Sequence, residues 1–356
     1  MAWCFLAAAI ISGLSPAYLM IEADRGISVA DLSTGNGLLY LFLGWGTLII
    51  QNFALTFGRR ITLVASILLT TSVTLWSAYV ESRAVSFINR IILGIVSSPM
   101  ETVDYPAQPK TFMQRLALGG FQSPRPATKH AILLPFQLLR YPTIVFGGFL
   151  VGGILSWYNV VGGSLALILG NEPYNFGTNM IGLFYLAAVV SVSIGCVLCS
   201  MTSDRMAMWF ARRNGGVMEP EQRLWLCILA CLLYGIGAAY HLHWVGIAFG
   251  LGLTSVTLPI GSALTFSSIL GSYREVAGEG LVTSILIRNL MGFSFSYSVV
   301  PMIENLSLKN AFILIAVLGL VLWCMCLVMI LIGKSLRQSS AESYWRLVDK
   351  LGATVH

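Results

Sequence analysis

Charge is scarce in this chain. Lysine and arginine number 21 and aspartate and glutamate 15 in 356 residues, 10% of the total. Hydrophobic residues make up 56%, and the mean hydropathy is +0.80. Soluble domains use roughly 45–50% apolar residues, and a soluble fold of this length has no core large enough to hide the excess. The chain also lacks a GxxxxGK[ST] phosphate loop, which argues against ATP-driven work. It has no HExxH, no paired acids within its apolar runs and no Ser/His/Asp set placed together, so an enzyme is not expected. Cysteine is absent outside the apolar runs. Cys196 and Cys199 have CxxC spacing, but they lack the exposed, electropositive setting of a redox thiol. His241 and His243 are too few for a metal site, and neither metal nor cofactor is expected. The net charge of +6 is read as orientation signals and lipid contacts, not as a nucleic-acid surface.

Long apolar runs fill the rest. A membrane-crossing helix needs about 20 mostly apolar residues, and ten such runs are present: Trp3–Ile21, Gly37–Phe57, Ile61–Val80, Val85–Val103, Thr143–Leu169, Met180–Met201, Leu224–Tyr240, Trp244–Leu270, Leu281–Pro301 and Ala311–Ile332. The runs are continuous, not alternating, which disfavours a transmembrane barrel. The expectation is an all-α, polytopic protein of the lipid bilayer. With the first helix running outward, 16 of the 21 basic residues fall on inward-facing segments, and Arg25, Arg83 and Lys309 alone fall outside. That bias sets the orientation, with a cytoplasmic C-terminus. Residues 1–103 form a four-span N-terminal bundle, 104–142 a proline-rich cytoplasmic linker, 143–333 a six-span bundle and 334–356 a solvated cytoplasmic tail.

The densest charge lies at Ser203–Arg223, SDRMAMWFARRNGGVMEPEQR, read as a cytoplasmic loop between two spans. This segment resembles the loop between helices eight and nine of fungal major facilitator superfamily transporters of the drug:proton antiporter type. LYLFLGWGTLIIQNFALTFGRR (Leu39–Arg60) is similar to that family's second helix and following loop. NRIILGIVSSPMETV (Asn89–Val103) resembles its fourth helix, and SYREVAGEGLVTSILIRNLMGFSFSYSVVP (Ser272–Pro301) its tenth-to-eleventh helix region. There are departures. Leu55 and Thr56 stand where the family's loop motif carries an acid and a base, leaving Gly58-Arg59-Arg60. The family has twelve helices in two halves. Here the pattern breaks just after Glu101–Val103 and resumes near Pro109, as though helices five and six were missing.

The resemblance implies a secondary transporter in which substrate sits at the midplane between two halves and is exposed alternately to either side. The expected function is proton-coupled export of small amphipathic or cationic compounds, with small molecule and proton as partners. The plasma membrane is the expected location, with the vacuolar membrane as the alternative. A transport-incompetent remnant or splice form, acting at most as a membrane interaction protein, is the competing reading. Charges within spans are costly and usually line a cavity. Arg90 and Glu101, eleven residues apart, are expected on one helix face, with Arg90 either tuning Glu101 or snorkelling outward. Arg288 and Asn289 are expected to line the cavity or to pair with Glu275 or Glu279. Tyr18, Tyr40, Trp45, Gln51, Tyr185 and Tyr297, together with Asn52 and Phe293, are candidates for aromatic and polar lining. Gly58, Arg59 and Arg60 with Asp204, Arg205, Arg212 and Arg213 are expected to act as gate loops on the cytoplasmic side, or simply as orientation charges.

Overall fold

A computed structural model describes residues 17–57, 59–101, 128–170, 175–213 and 244–353. Every regular element among them is helical: α1 Tyr18–Arg25, α2 Val29–Phe57, α3 Arg59–Ser77, α4 Arg83–Ser97, α5 Thr128–Leu138, α6 Pro142–Gly170, α7 Thr178–Arg213, α8 Trp244–Ser272 and α9 Ala277–Ala353. Short 3₁₀ turns follow α4 (Ser98–Glu101) and precede α9 (Arg274–Val276). Gly26, in the left-handed conformation that a glycine adopts without penalty, ends α1 by donating its N–H to the Glu22 carbonyl.

The helix α3 shows which solvent this sequence is written for. Its buried face carries Thr62, Ser66 and Thr70, the last fully enclosed, while its outer face presents Val64, Leu68 (64% exposed) and Leu75 (67%). Spacings of four and seven put each set on one side of a helix. Polar-in and apolar-out is the reverse of a soluble helix and suits hydrocarbon, where hydroxyls are satisfied internally. Ser66 donates to the Val96 carbonyl of α4 at 2.7 Å. On α7, Leu183, Leu186, Val190 and Val197 form a second exposed apolar stripe. By length and composition one described helix, α6, is long and apolar enough to cross a membrane, with mean hydropathy 1.7. Ile61–Ser77 and Thr178–Ile194 are apolar but shorter.

The helix α9 is assigned as one element of 77 residues. A straight helix of that length would extend roughly 115 Å, yet Tyr344 near its end stacks edge-on to Tyr273 just before its start, with ring centroids 5.3 Å apart. Trp157 of α6 likewise meets both Phe295, at 5.2 Å, and the position of Gly319, where a Cβ would lie 3.0 Å from its ring nitrogen. Both pairs straddle residue 308, so α9 doubles back there into two antiparallel arms. Pro301, which cannot donate to the helical ladder, lies where the first arm ends. The two arms coincide with the separate apolar runs 281–301 and 311–332.

Three sequence expectations are revised. Ser203–Arg213 is no loop: it continues α7, whose 36 residues span about 54 Å, well beyond a 30 Å hydrocarbon core. Its Met, Ala, Trp, Phe and Arg content favours helix, and the glycine pair that could stop it falls at 215–216, outside the described residues. The end of the linker is not a plain connector. α5 buries Leu134 and Leu138 against Ile144, Ile269 and Leu281, and Thr283 of α9 donates to the Pro135 carbonyl at 2.9 Å. The tail is not simply solvated, because it is helical and Tyr344 is buried among Tyr141, Tyr273 and Val276. Tyr344 Oη accepts from the Glu275 N–H at 3.2 Å, and Ser343 Oγ donates to Tyr141 Oη at 3.3 Å. Tyr344→Ala removes a buried aromatic, a loss on the order of 3 kcal/mol for well-packed rings. Limited trypsin digestion should then cut the chain at Arg337 and Arg346 much faster than in the parent, with membrane insertion unchanged.

Two of the three basic residues expected on the outer side have structural partners. Arg25 donates to the Ala78 carbonyl at 2.9 Å and to the Val80 carbonyl, satisfying the free C-terminal end of α3. Arg83 pairs with Asp31 at 3.0 Å and lies over the Phe87 ring. These cations are held by local contacts that loop counting does not see.

Candidate functional site

The N-terminal helices meet the C-terminal ones along α2 and the first arm of α9. Glycines make this approach possible. A Cβ on Gly37 would lie 3.1 Å from the Phe293 carbonyl oxygen, and one on Gly44 would lie 2.9 Å from Asn289 Cβ. Ser33 Oγ adds a hydrogen bond to the Ser296 carbonyl at 2.7 Å. Without side chains at 37 and 44 the two helices run close, and Asn289 is wholly enclosed. On the far side of α9, Gly148 and Gly152 of α6 receive Ile287 and Met291 in the same way. The first arm of α9 is thus packed between α2 and α6, with Arg288 and Asn289 at the contact.

Arg90 reaches this region from α4. Asn89, its neighbour, is bonded on the other side: its amide donates to the Val73 carbonyl at 3.1 Å and accepts from Ser77 Oγ at 2.9 Å. Fixing Asn89 onto α3 turns Arg90 toward α2, where the absent side chain of Gly35 leaves room for its stem (Arg90 Cγ 3.4 Å from an ideal Cβ). Arg90 is buried, and among the described residues it meets no carboxylate; its electrostatic neighbours are the phenols of Tyr18 and Tyr40. Arg288 shares Tyr40 as an electrostatic neighbour, and its guanidinium lies 3.5 Å from Asn289 Oδ1. Glu279 is nine residues from Arg288, about 13 Å along the helix, and the Glu279 Oε2 atom is buried without a hydrogen-bond partner.

Where α1, α2, α6, α7 and α9 meet lies a small polar cleft of about 20 Å³, room for a single water, walled by Tyr18, Asn36, Tyr40, Asn159, Tyr185 and Ser296 among others. Tyr40 Oη donates to Asn159 Oδ1 at 3.0 Å, linking α2 to α6 across it. Tyr185 Oη donates to the Gly162 carbonyl at 2.9 Å. Two polar atoms in these walls, Asn36 Oδ1 and Asn159 Nδ2, are buried with no hydrogen-bond partner, an uncommon condition for native interior groups.

The structure brings together Arg90, Arg288, Asn289, Tyr18, Tyr40 and Tyr185. It does not bring Tyr297 to them: Tyr297 is 56% exposed on the outer face of α9, stacked on Phe293 at 6.3 Å. Trp45 is also exposed. α4 ends at Ser97 and a 3₁₀ turn covers Ser98–Glu101, so the α-helical spacing on which a shared face for Arg90 and Glu101 was expected does not run unbroken between them. Of the gate residues, Arg205 and Arg212 are exposed along the extension of α7. Gly58, the side chains of Arg59, Arg60, Glu101, Asp204 and Arg213, and His241 with His243, lie outside the described residues. Among the described residues there is no group of three or more His, Cys, Asp or Glu that could hold a metal.

Asn36 and Asn159 were missed by sequence reading. A span counted from Gly37 excludes Asn36, yet α2 begins at Val29. Asn159 sits inside the glycine-rich apolar run Thr143–Leu169. The available signal was an amide in the middle of an apolar run.

The class that emerges is an all-helical integral membrane protein with a polar cleft between two groups of helices. Comparison with known proteins gives transporters. The chain is 28% identical over 235 residues to an uncharacterized MFS-type transporter of Schizosaccharomyces pombe, covering 61% of this chain and 39% of that protein. It is 24% identical over 184 residues to Protein HOL1 of Saccharomyces cerevisiae (50% and 31%), and 21% identical over 281 residues to the MFS-type transporter atr4 of Stereocaulon alpinum (76% and 50%). The matches therefore span half or less of these relatives' own length. No protein-family model matches the chain. The relatives are fungal transporters of the major facilitator type, which supports transmembrane transport of small molecules.

Proposed function

We propose that the chain is a major facilitator superfamily transporter of the fungal drug:proton antiporter type, with about ten spans. It exports small amphipathic or cationic compounds from the cell by alternating access, in exchange for protons. The observation that carries this reading is the cleft itself. It lies where residues of the two halves converge, it is lined by phenols and amides, and two buried arginines stand beside Tyr40. The Tyr40–Asn159 bond and the Ser33–Ser296 bond cross from one half to the other. Breaking and remaking such cross-links is what a two-state rocking cycle requires. Glu101 is the proposed proton carrier at the inner end of the fourth span. The plasma membrane is the proposed site, with the C-terminus inside, and the extended α7 with Arg205 and Arg212 the proposed inner gate.

A second reading is favoured by a specific observation: the matched stretch covers 39%, 31% and 50% of three relatives. A piece lacking helices five and six would have one wall of the cavity open and would not transport. Expression of the full chain in a yeast strain depleted of its own exporters, scored on a panel of cationic and amphipathic drugs, separates the two. Transport predicts resistance that Glu101→Gln abolishes. Well-expressed, membrane-localised protein conferring no resistance would leave the second reading standing.

A further inference from the structure

Resting on the transporter reading and its orientation, we infer that the segment Tyr18–Leu32 is the extracellular gate that must part for release. Arg25 is the positioning residue that makes this segment move with the N-terminal half. In the proposed orientation α2 runs inward from Val29 and the first arm of α9 runs outward from Ala277. Their close approaches, Ser33, Gly37 and Gly44 against Ser296, Phe293 and Asn289, lie between the midpoint and the outer end of each helix. Beyond them Ile27, Val29 and Leu32 of the N-terminal half are buried in one apolar cluster with Trp157, Val299 and Val300 of the C-terminal half. Leu19 fills the place that a Cβ on Gly170, the last residue of α6, would occupy. The structure is the state sealed toward the outside, and export requires this cluster to open.

The chemistry on the two sides of the segment differs. Toward α6 and α9 its contacts are largely apolar, non-directional and able to part as one surface. Toward its own half it is fastened by polar ties. Arg25 donates to the Ala78 carbonyl at 2.9 Å and to the Val80 carbonyl, at the end of α3. Asp31 pairs with Arg83, the first residue of α4, at 3.0 Å. The two ties bracket Ile27 and both stay within the N-terminal half. Arg25 grips the chain one residue before the left-handed turn at Gly26, the point at which a loose segment would hinge. The segment is therefore no independent lid. It leaves α6 and α9 when the halves rock apart as bodies.

The test uses the full chain in intact, exporter-depleted yeast cells and a membrane-impermeant maleimide applied outside. The buried positions are probed with Ile27→Cys and Val300→Cys, an exposed reference with Glu81→Cys, and the parent chain is the blank. Both buried positions should label about tenfold or more slowly than the reference, as sites reached only from a minor open state do. A Cβ on Gly37 would lie 3.2 Å from Ser296 Cβ, close to disulfide range, so Gly37→Cys with Ser296→Cys should cross-link on mild oxidation. The cross-link should stop efflux of the cationic dye rhodamine 6G and suppress the residual labelling of Ile27→Cys, and reductant should restore both. In the cross-linked protein Arg25→Gln should bring that labelling back, because the segment then lifts by itself, and Arg25→Lys should bring back less. Labelling as fast as the reference, or efflux that continues with the cross-link formed, overturns the gate and leaves the transporter standing. So does labelling of the reference in inside-out vesicles alone. Labelling indifferent to Arg25→Gln removes Arg25 from the positioning role. If the cysteine pair does not reach the membrane, Gly170→Leu, which displaces Leu19, must speed labelling of Ile27→Cys, and an unchanged rate overturns the gate. Slow labelling without efflux from the parent keeps the closed cluster and refutes the transporter reading.

Discussion

Gly94→Ala is expected to be the most damaging glycine-to-alanine change among the described residues, and Gly94→Val to prevent stable accumulation altogether. Gly94 lies on α4 one turn beyond Arg90, and a Cβ there would collide with the Leu39 carbonyl oxygen and sit 3.1 Å from the Leu43 nitrogen of α2. Both neighbours are backbone, so no rotamer change makes room, and the two helices must separate. Around them Leu39, Leu43 and Leu93 are almost completely buried, so separation opens a gap along the interface as well as relieving the clash. Overpacking of this kind costs about 1–3 kcal/mol when side chains can yield, and against main chain the upper end of that range is expected for alanine alone. Gly182→Ala is the control. It also lies within a helix, nothing lies within 4 Å of its would-be Cβ, and replacing a helical glycine is worth roughly 0.5–1 kcal/mol in the opposite direction. Thermal unfolding of the purified proteins in detergent should lower the midpoint by several degrees for Gly94→Ala and hold or raise it for Gly182→Ala. Equal midpoints would mean that α2 and α4 are not in close contact.

The membrane class was legible because it depends on composition, and a chain with this few charges has no soluble solution. The location of most helices was legible for the same reason: an apolar run such as Thr143–Leu169 differs from its helix, Pro142–Gly170, by one residue at each end. What composition does not encode is where a helix stops. α7 runs on through Arg205 and Arg212 because no proline interrupts its 36 residues and Arg205–Arg213 is made of good helix formers; hydropathy changes there, but helix propensity does not. The same distinction explains α5, whose short apolar face of Leu134 and Leu138 is too small to span anything yet is enough to dock. The tail follows the same rule, since one buried tyrosine against two others holds it.

The candidate site was half legible. Arg90 and Arg288 stand out in any reading because an isolated charge in an apolar run demands a cause. Their common neighbour Tyr40 could be listed as a cavity candidate but not ranked above Tyr297, which has the same chemistry and faces the opposite way. Asn159 pairs with Tyr40 across 119 positions of sequence, and Arg25 finds Val80 across 55. Such pairings depend on how helices are arranged around each other, information that a one-dimensional pattern of hydropathy does not hold. Glu101 shows the converse error. Its register with Arg90 was inferred by extending an α-helix that in fact tightens into a 3₁₀ turn at Ser98.

Arg90→Gln is expected to abolish transport while leaving the protein folded and in the membrane, and Arg90→Lys to restore only part of it. The guanidinium is buried against α2, with two phenols as its neighbours and no acid to neutralise it among the described residues. Retaining such a charge is expensive, on the order of 2.5–3.5 kcal/mol on insertion scales, so removing it should stabilise the fold or leave it unchanged. That sign is what distinguishes a working residue from a structural one. A residue kept for packing loses stability when replaced by a shorter neutral side chain, whereas one kept for its charge loses activity and gains stability. Lysine keeps the charge but presents a point cation in place of a planar fork, so a partial rescue identifies charge as one component and geometry as the other. Arg288→Gln should behave alike if both cations serve the Tyr40 region, and the double variant should cost no more activity than either single one, because groups that act as a unit are non-additive. The decisive comparison is drug resistance conferred in an exporter-depleted strain against the unfolding midpoint of the same variants. Loss of both together for Arg90→Gln would assign the arginine to the scaffold and remove it from the transport pathway.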